Sequence, residues 1–127
     1  MAESQIQNFN HLKIHSQFSI CEGAIKIDDL KEISKEKKIR SLALCDTSNL
    51  CGALEFAEKI SKVGTQPIIG TQINFKLDDT IGLLPLFALN EIGYKRIIEL
   101  SFDRFWPMIP EPTTIIKRKL VPINSLR

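Results

Sequence analysis

The chain alternates short apolar runs with segments whose apolar residues recur at helical spacing. The run at 41–45 lacks polar alternation, as expected for a strand buried on both faces of a parallel sheet. Strands separated by helices predict an α/β fold with right-handed crossovers and a largely parallel sheet. Four strands are predicted at 9–14, 41–45, 67–75 (interrupted at Gly70) and 84–89, with a loop at 76–82, and three helices are predicted at 28 to about 38, 50–60 and 91 to about 102.

Separate signals mark the ends of these elements. Asp28 is placed to cap the first helix, since aspartate is a favoured capping residue and its charge suits the positive end of the helix dipole. Gly64 stands where the second helix should end. Three prolines within 106–112 exclude a helix there. We therefore interpret 105–127 as an irregular, Pro-rich extension and 1–8 as a polar N-terminal segment.

Polar residues stand where the predicted strands end. In parallel α/β folds, the loops after the carboxyl ends of strands carry the chemistry. Three such loops are predicted to begin at His15, Asp46 and Gly70. Two interpretations of Asp46 stay open: it supports a metal ligand from behind, or it starts a loop and caps the next helix.

Composition restricts the location and the partner classes. The formal net charge of +2 gives no overall attraction to nucleic acid or membrane, so we expect no direct DNA binding and no membrane contact. No window approaches the roughly 18 apolar residues that a membrane span needs. The cysteines form neither a CxxC pair nor an even set, and Cys45 is expected in the core. A soluble, cytoplasmic protein is predicted.

Six short motifs resemble, in order and spacing, the PHP domain at the N-terminus of the bacterial DNA polymerase III alpha subunit. The resemblance covers about residues 9–104, leaves the extension unmatched, and suggests a truncated domain. It implies a partial, distorted β/α barrel of the PHP type, with about four mainly parallel strands out of seven and three helices. The motifs are HLKIHS (11–16), EGA (22–24), LALCD (42–46), NLCGALEF (49–56), QPIIG (66–70) and NEIGY (90–94).

The resemblance also implies where a metal centre would lie. Active members of the family bind a trinuclear cluster of divalent metal, zinc or manganese, at the carboxyl ends of the strands, and some ligands would lie beyond residue 127. The ligand positions within this chain hold Lys13, His15, Glu22, Thr47, Gln72 and Leu83.

Most of these positions have lost ligand chemistry. Lys13 places an ammonium without a lone pair where a cation should bind. Gln72 keeps an oxygen without the charge, and Leu83 offers no donor, so only His15 and Glu22 remain competent ligands. The sequence predicts a degenerate site with no catalytic residue and no bound metal. In such a site His15 would be a hydrogen-bonded residue at a strand end, and Lys13 is hypothesised to pair with Glu22 or Asp46.

The resemblance associates the chain with DNA replication. The family is a DNA-directed DNA polymerase, a nucleotidyltransferase that uses magnesium in a palm domain, and 127 residues are too few for that palm. We therefore expect this fragment alone to be inactive and to act as a structural or docking module. The expected partners are the proofreading exonuclease subunit or the remainder of the polymerase. The alternative is a free-standing PHP-type metal-dependent phosphoesterase.

A partial barrel raises a problem of stability. Four strands of seven leave two open edges, and open edges invite pairing with another chain. Self-association or dependence on a partner is therefore predicted.

Overall fold

The computed structural model describes residues 9–77, 80–105 and 121–122. The elements are α1 (Ile27–Glu36), β1 (Ser41–Thr47), α2 (Ala53–Ser61), β2 (Gln66–Leu77), β3 (Thr80–Phe87), α3 (Glu91–Phe105) and β4 (Val121–Pro122). The three predicted helices are confirmed, with bounds that differ by a few residues. None of the helices in this part of the chain is long and apolar enough to cross a membrane.

The sheet is mixed rather than largely parallel. β1 pairs in parallel with one edge of β2, and β3 pairs antiparallel with the other edge. The two-residue strand β4 pairs with β2 at Phe75 and Lys76, past the end of β1. The predicted loop at 76–82 is wrong because both strands of this hairpin run into it. The connection from Leu77 to Thr80 is also too short for the crossover that parallel strands require.

The core lies between the sheet and the first two helices. Leu42 and Leu44 of β1 face this core, and Ile69 of β2 packs against it. Because side chains alternate along a strand, the residues between them face the opposite side of the sheet. The buried members of the cluster are Ile27, Leu30, Ile39, Leu42, Leu44, Phe56 and Ile60.

The predicted strand at 9–14 is not a regular strand. This segment does lie beside β1, because the backbone N–H groups of Ala43 and Cys45 donate to the carbonyls of His11 and Ile14. Donors two residues apart on β1 therefore meet acceptors three residues apart. One extra residue interrupts the ladder, as in a β-bulge.

Gly70 does not begin a loop, which corrects a second prediction. It lies inside β2, opposite Cys45 on one side and Phe87 on the other. A Cβ at this position would lie 2.5 Å from the carbonyl oxygen of Leu86 and 2.5 Å from the Phe87 ring. The glycine therefore permits close packing within a continuous strand.

Asp28 does not cap α1. The residue before the helix is Lys26, and no side chain caps it. Instead, Oδ1 of Asp28 lies 2.6 Å from Nζ of Lys59, which also lies 2.7 Å from Oε1 of Glu55. This exposed ion pair links α1 to α2. The hydrogen bond lowers the pKa of Asp28 and raises the pKa of Lys59.

Candidate functional site

Asp46 anchors the loop at 16–23 that follows His15. The carboxylate is buried and accepts hydrogen bonds from the Ser16 backbone N–H (2.6 Å), the Ser16 hydroxyl (2.7 Å) and the Ser19 hydroxyl (2.8 Å). Three donors satisfy a buried carboxylate that has no cationic partner among the described ion pairs. Asp46 does not cap α2, whose N-cap is Gly52.

Sequence reasoning missed the two serines. Ser16 and Ser19 are fully buried, and the Ser19 hydroxyl also accepts a hydrogen bond from the Thr47 N–H at 3.0 Å. A signal was present, since hydroxyl residues three positions apart directly follow the predicted strand end. Their partner is 27 or more positions away along the chain, so the sequence alone did not reveal the contact.

The same loop closes tightly at Gly23 and so positions Glu22. The N–H groups of Glu22 and Gly23 both donate to the carbonyl of Ser19, at 3.0 and 2.9 Å. A Cβ at residue 23 would lie 2.1 Å from the carbonyl oxygen of Ser16. Only glycine allows this approach, which explains the glycine of the EGA motif.

Four of the six candidate metal positions meet where β1 ends beside the middle of β2. Nδ1 of His15 lies 3.9 Å from Oε2 of Glu22. The Thr47 hydroxyl donates a hydrogen bond to the same Oε2 atom. It accepts one in turn from Nε2 of Gln72 at 3.4 Å. We call Glu22, Thr47 and Gln72 the polar chain.

The other two positions lie apart from the polar chain. Lys13 is exposed and takes part in none of the ion pairs found among the described residues, so the hypothesised pairing with Glu22 or Asp46 is not present. Leu83 is 48% exposed and lies on β3 opposite Asn74, whereas Gln72 lies opposite Pro85. Neither side chain contributes a donor to the site.

The residues present do not fit a cluster of divalent metal ions. Such a centre needs several imidazole or anionic ligands that converge, and the site offers one of each, His15 and Glu22. Within the described residues, no group of three or more His, Cys, Asp or Glu side chains could hold a metal ion. Among the described residues, four buried side-chain polar atoms have no hydrogen-bond partner, and two of them belong to this site: Nδ1 of His15 and Oε1 of Gln72. His15 lies beside Glu22 at one end of the polar chain, and Gln72 is its other end.

The model of the PHP domain family matches residues 11–116 of this chain. The chain belongs to the PHP domain family. The match begins close to the expected residue 9 and runs past the expected end at 104, into the Pro-rich extension. This PHP domain therefore includes part of the segment that sequence reasoning left unmatched.

This PHP domain is similar to DNA polymerase III subunit alpha from several bacteria. It is 35% identical over 127 aligned positions to the protein of Caulobacter vibrioides and 39% identical over 94 positions to that of Rickettsia felis. The alignments cover 88% and 73% of this chain but only 11% and 8% of the relatives. The chain thus spans about a tenth of the length of the curated relatives it matches.

A solved structure shares the fold. It is that of a protein described as a metal-dependent phosphoesterase of Bifidobacterium adolescentis, with a TM-score of 0.56 and 19% sequence identity. The match covers 80% of this chain and 36% of that protein. At this identity the likeness shows a common α/β architecture.

Proposed function

We propose that this PHP domain acts in bacterial DNA replication as a non-catalytic structural or docking module, related to the PHP domain of DNA polymerase III subunit alpha. One observation carries the proposal. At the candidate metal positions the structure has the polar chain of Glu22, Thr47 and Gln72, where a hydrolytic centre needs converging metal ligands. Similarity to DNA polymerase III subunit alpha supplies the process. Such a module acts in the cytoplasm.

The barrel architecture is part of this proposal. Leu42 and Leu44 face the helices, so alternation directs Thr47 to the opposite face of β1, and Gln72 lies beside it in the parallel register. In a β/α barrel that helix-free face is the interior, and the carboxyl ends of the strands form its mouth. The positions of Thr47 and Gln72 support a partial barrel of the PHP type.

The proposed partners are a proofreading exonuclease subunit or the remainder of a polymerase. A docking surface requires exposed apolar side chains, and two candidates lie in different parts of the fold: Leu89, 96% exposed between β3 and α3, and Leu54, 73% exposed on α2. Each of the two is tested by its own substitution.

The test is complex formation in solution. The purified chain is mixed separately with a purified proofreading exonuclease subunit and with a purified polymerase that lacks its own PHP region, and each mixture is examined by size-exclusion chromatography. We expect co-elution with one of the two. Leu89→Lys and Leu54→Lys are matched variants, and one of them should abolish co-elution while the other retains it. Separate elution of the wild-type chain from both partners would refute the docking role.

A metal-dependent phosphoesterase is the second candidate. The separation of 3.9 Å between Nδ1 of His15 and Oε2 of Glu22 favours it, because both atoms are potential ligands at a family position. The test is hydrolysis of bis(p-nitrophenyl) phosphate with added manganese or zinc. Activity that is lost with EDTA and in a His15→Ala variant would establish this candidate and overturn the non-catalytic proposal.

A further inference from the structure

We infer that the polar chain performs the structural task of a metal centre, so that the fold of this PHP domain does not depend on divalent metal. The inference deepens the proposed non-catalytic role by assigning a task to the degenerate site. It rests on three properties of the site: its connectivity, its charge and the chemistry of its middle residue.

The polar chain connects three separate segments. Glu22 comes from the loop at 16–23, Thr47 from the end of β1 and Gln72 from β2. Each of its two hydrogen bonds joins residues 25 positions apart. A metal ion with ligands at these positions would join the same three segments, and metal ligation of this kind contributes directly to folding. The hydrogen bonds therefore link what the ion would link.

The charge of the polar chain does not require a bound cation. Glu22 supplies a single carboxylate, whereas Thr47 and Gln72 are neutral. An acid at residue 72, as the family resemblance implies, would bring a second carboxylate to the same hydroxyl. Two carboxylates in one site repel each other unless a cation lies between them. With an amide at residue 72 that repulsion does not arise.

Threonine at residue 47 is the residue that makes the chain continuous. Its hydroxyl donates to Glu22 and accepts from Gln72, and a hydroxyl is suited to do both. Gln72 is 2% exposed, so the donor of its amide is withdrawn from solvent and needs this acceptor. Loss of the hydroxyl would leave a buried donor unpaired and would detach Glu22 from β1.

The first test uses the unaltered 127-residue chain. Thermal unfolding is followed by circular dichroism after treatment with EDTA, and again with manganese or zinc added alone. A ligand that does not bind the folded chain does not stabilise it, so we expect all melting temperatures to agree within about 1 °C. A drop of several degrees with EDTA, or a rise with either metal, would overturn the inference.

The second test identifies the residue responsible. Thr47→Val keeps the volume and removes the hydroxyl, and we expect it to lower the melting temperature by about 3–6 °C, the shift typical for the loss of a hydrogen-bond partner in a domain of this size. Thr47→Ser is the matched control, because it retains the hydroxyl and should retain most of the stability. Equal melting temperatures for Thr47→Val and Thr47→Ser would contradict the inference. If Thr47→Val does not fold, a folded Thr47→Ser and the EDTA result still decide the question.

These measurements are independent of the docking proposal. Melting requires no partner, so a chain that binds neither candidate partner can still pass both tests. Conversely, a chain that co-elutes with a partner and unfolds in EDTA would keep its proposed function and lose the inference.

Discussion

The Ser19 hydroxyl lies 2.8 Å from Oδ1 of Asp46, although 27 positions separate the two residues. Both side chains are almost fully buried. This contact, together with the two from Ser16, fixes the loop that carries Glu22. The carboxylate is therefore the centre of the local structure, and its removal is the most direct test.

We predict that Asp46→Ala lowers the free energy of unfolding by about 2–4 kcal/mol, because it leaves buried donors without their charged acceptor. Urea denaturation monitored by circular dichroism measures this loss. Asp29→Ala is the control, since Asp29 is an exposed acid in the first turn of α1 and should cost less than about 1 kcal/mol. Similar stabilities for the two variants would show that Asp46 does not anchor the loop.

The ion pair between α1 and α2 predicts a defined pH dependence. The hydrogen bond from Lys59 holds the pKa of Asp28 below its ordinary value of 3.8. The pair's contribution is therefore present above pH 3.8 and is lost as the pH falls through the lower folded value. For Lys59, whose pKa is raised above 10.5 mainly by Asp28, the contribution is lost as the pH rises through the higher folded value.

Lys59→Met should return the pKa of Asp28 toward 3.8, because the substitution removes the charge and keeps the length of the side chain. NMR titration of the Asp28 carboxyl measures the change. Because the pair is exposed, we expect little effect on overall stability. An unchanged titration curve in the variant would rule out the pairing in solution.

The three cysteines should differ in reactivity. Burial raises the pKa of the Cys45 thiol to about 11, whereas Cys21 and Cys51 are exposed. The thiolate is the reactive form, so an alkylating agent at mildly alkaline pH should label Cys21 and Cys51 and spare Cys45. Peptide mapping by mass spectrometry reports the labelled sites, and denaturation in urea should make all three react. Rapid labelling of Cys45 in the folded chain would contradict the buried position of β1.

Pro85 protects the outer edge of β3. The N–H of Ala88 donates to the carbonyl of Ile69, so Gly70 and Phe87 form a pair whose own N–H groups do not bond to each other. Phe87 and every second residue before it in β3 therefore direct their N–H groups outward, away from β2. Residue 85 is one of these positions, and proline there removes one outward donor from an edge of β3 that pairs with no strand in the described part of the chain.

We predict that Pro85→Val increases self-association relative to the unaltered chain, because it restores a donor to the edge. Sedimentation velocity over a range of concentrations measures the change. Pro85→Lys is the control, since it restores the same donor beside a charge that opposes edge pairing. An unchanged sedimentation profile for Pro85→Val would indicate that this edge is not the route of association.

Local patterns predicted the elements that depend on local chemistry. The uninterrupted apolar run identified β1, and helical spacing identified all three helices. Four of the six positions named by the resemblance lie close together in the structure, because a shared fold keeps such positions near one another even when the residues change. Predicting these features required only the periodicity of apolar residues and the order of the motifs.

The remaining features depend on contacts between distant residues. A period of two identifies a strand but not its direction, so the antiparallel pairing of β3 was not predicted. The extra residue between His11 and Ile14 appears only when β1 lies alongside. Asp28 forms an ion pair with Lys59 on α2 and does not cap its own helix. Here a tertiary contact overrides a local capping preference.

Two consecutive residues of β2, Thr71 and Gln72, make hydrogen bonds to β1 in two different networks. The Thr71 hydroxyl donates to the backbone carbonyl of Asp46 at 2.7 Å, and the neighbouring Gln72 amide reaches Thr47. Because adjacent side chains on a strand point to opposite faces, inserting or deleting one residue upstream in β2 would exchange their roles. The hydrogen bonds from Thr71 and from Gln72 to β1 would then be lost together, so a change of length in β2 removes more contacts than either single substitution does.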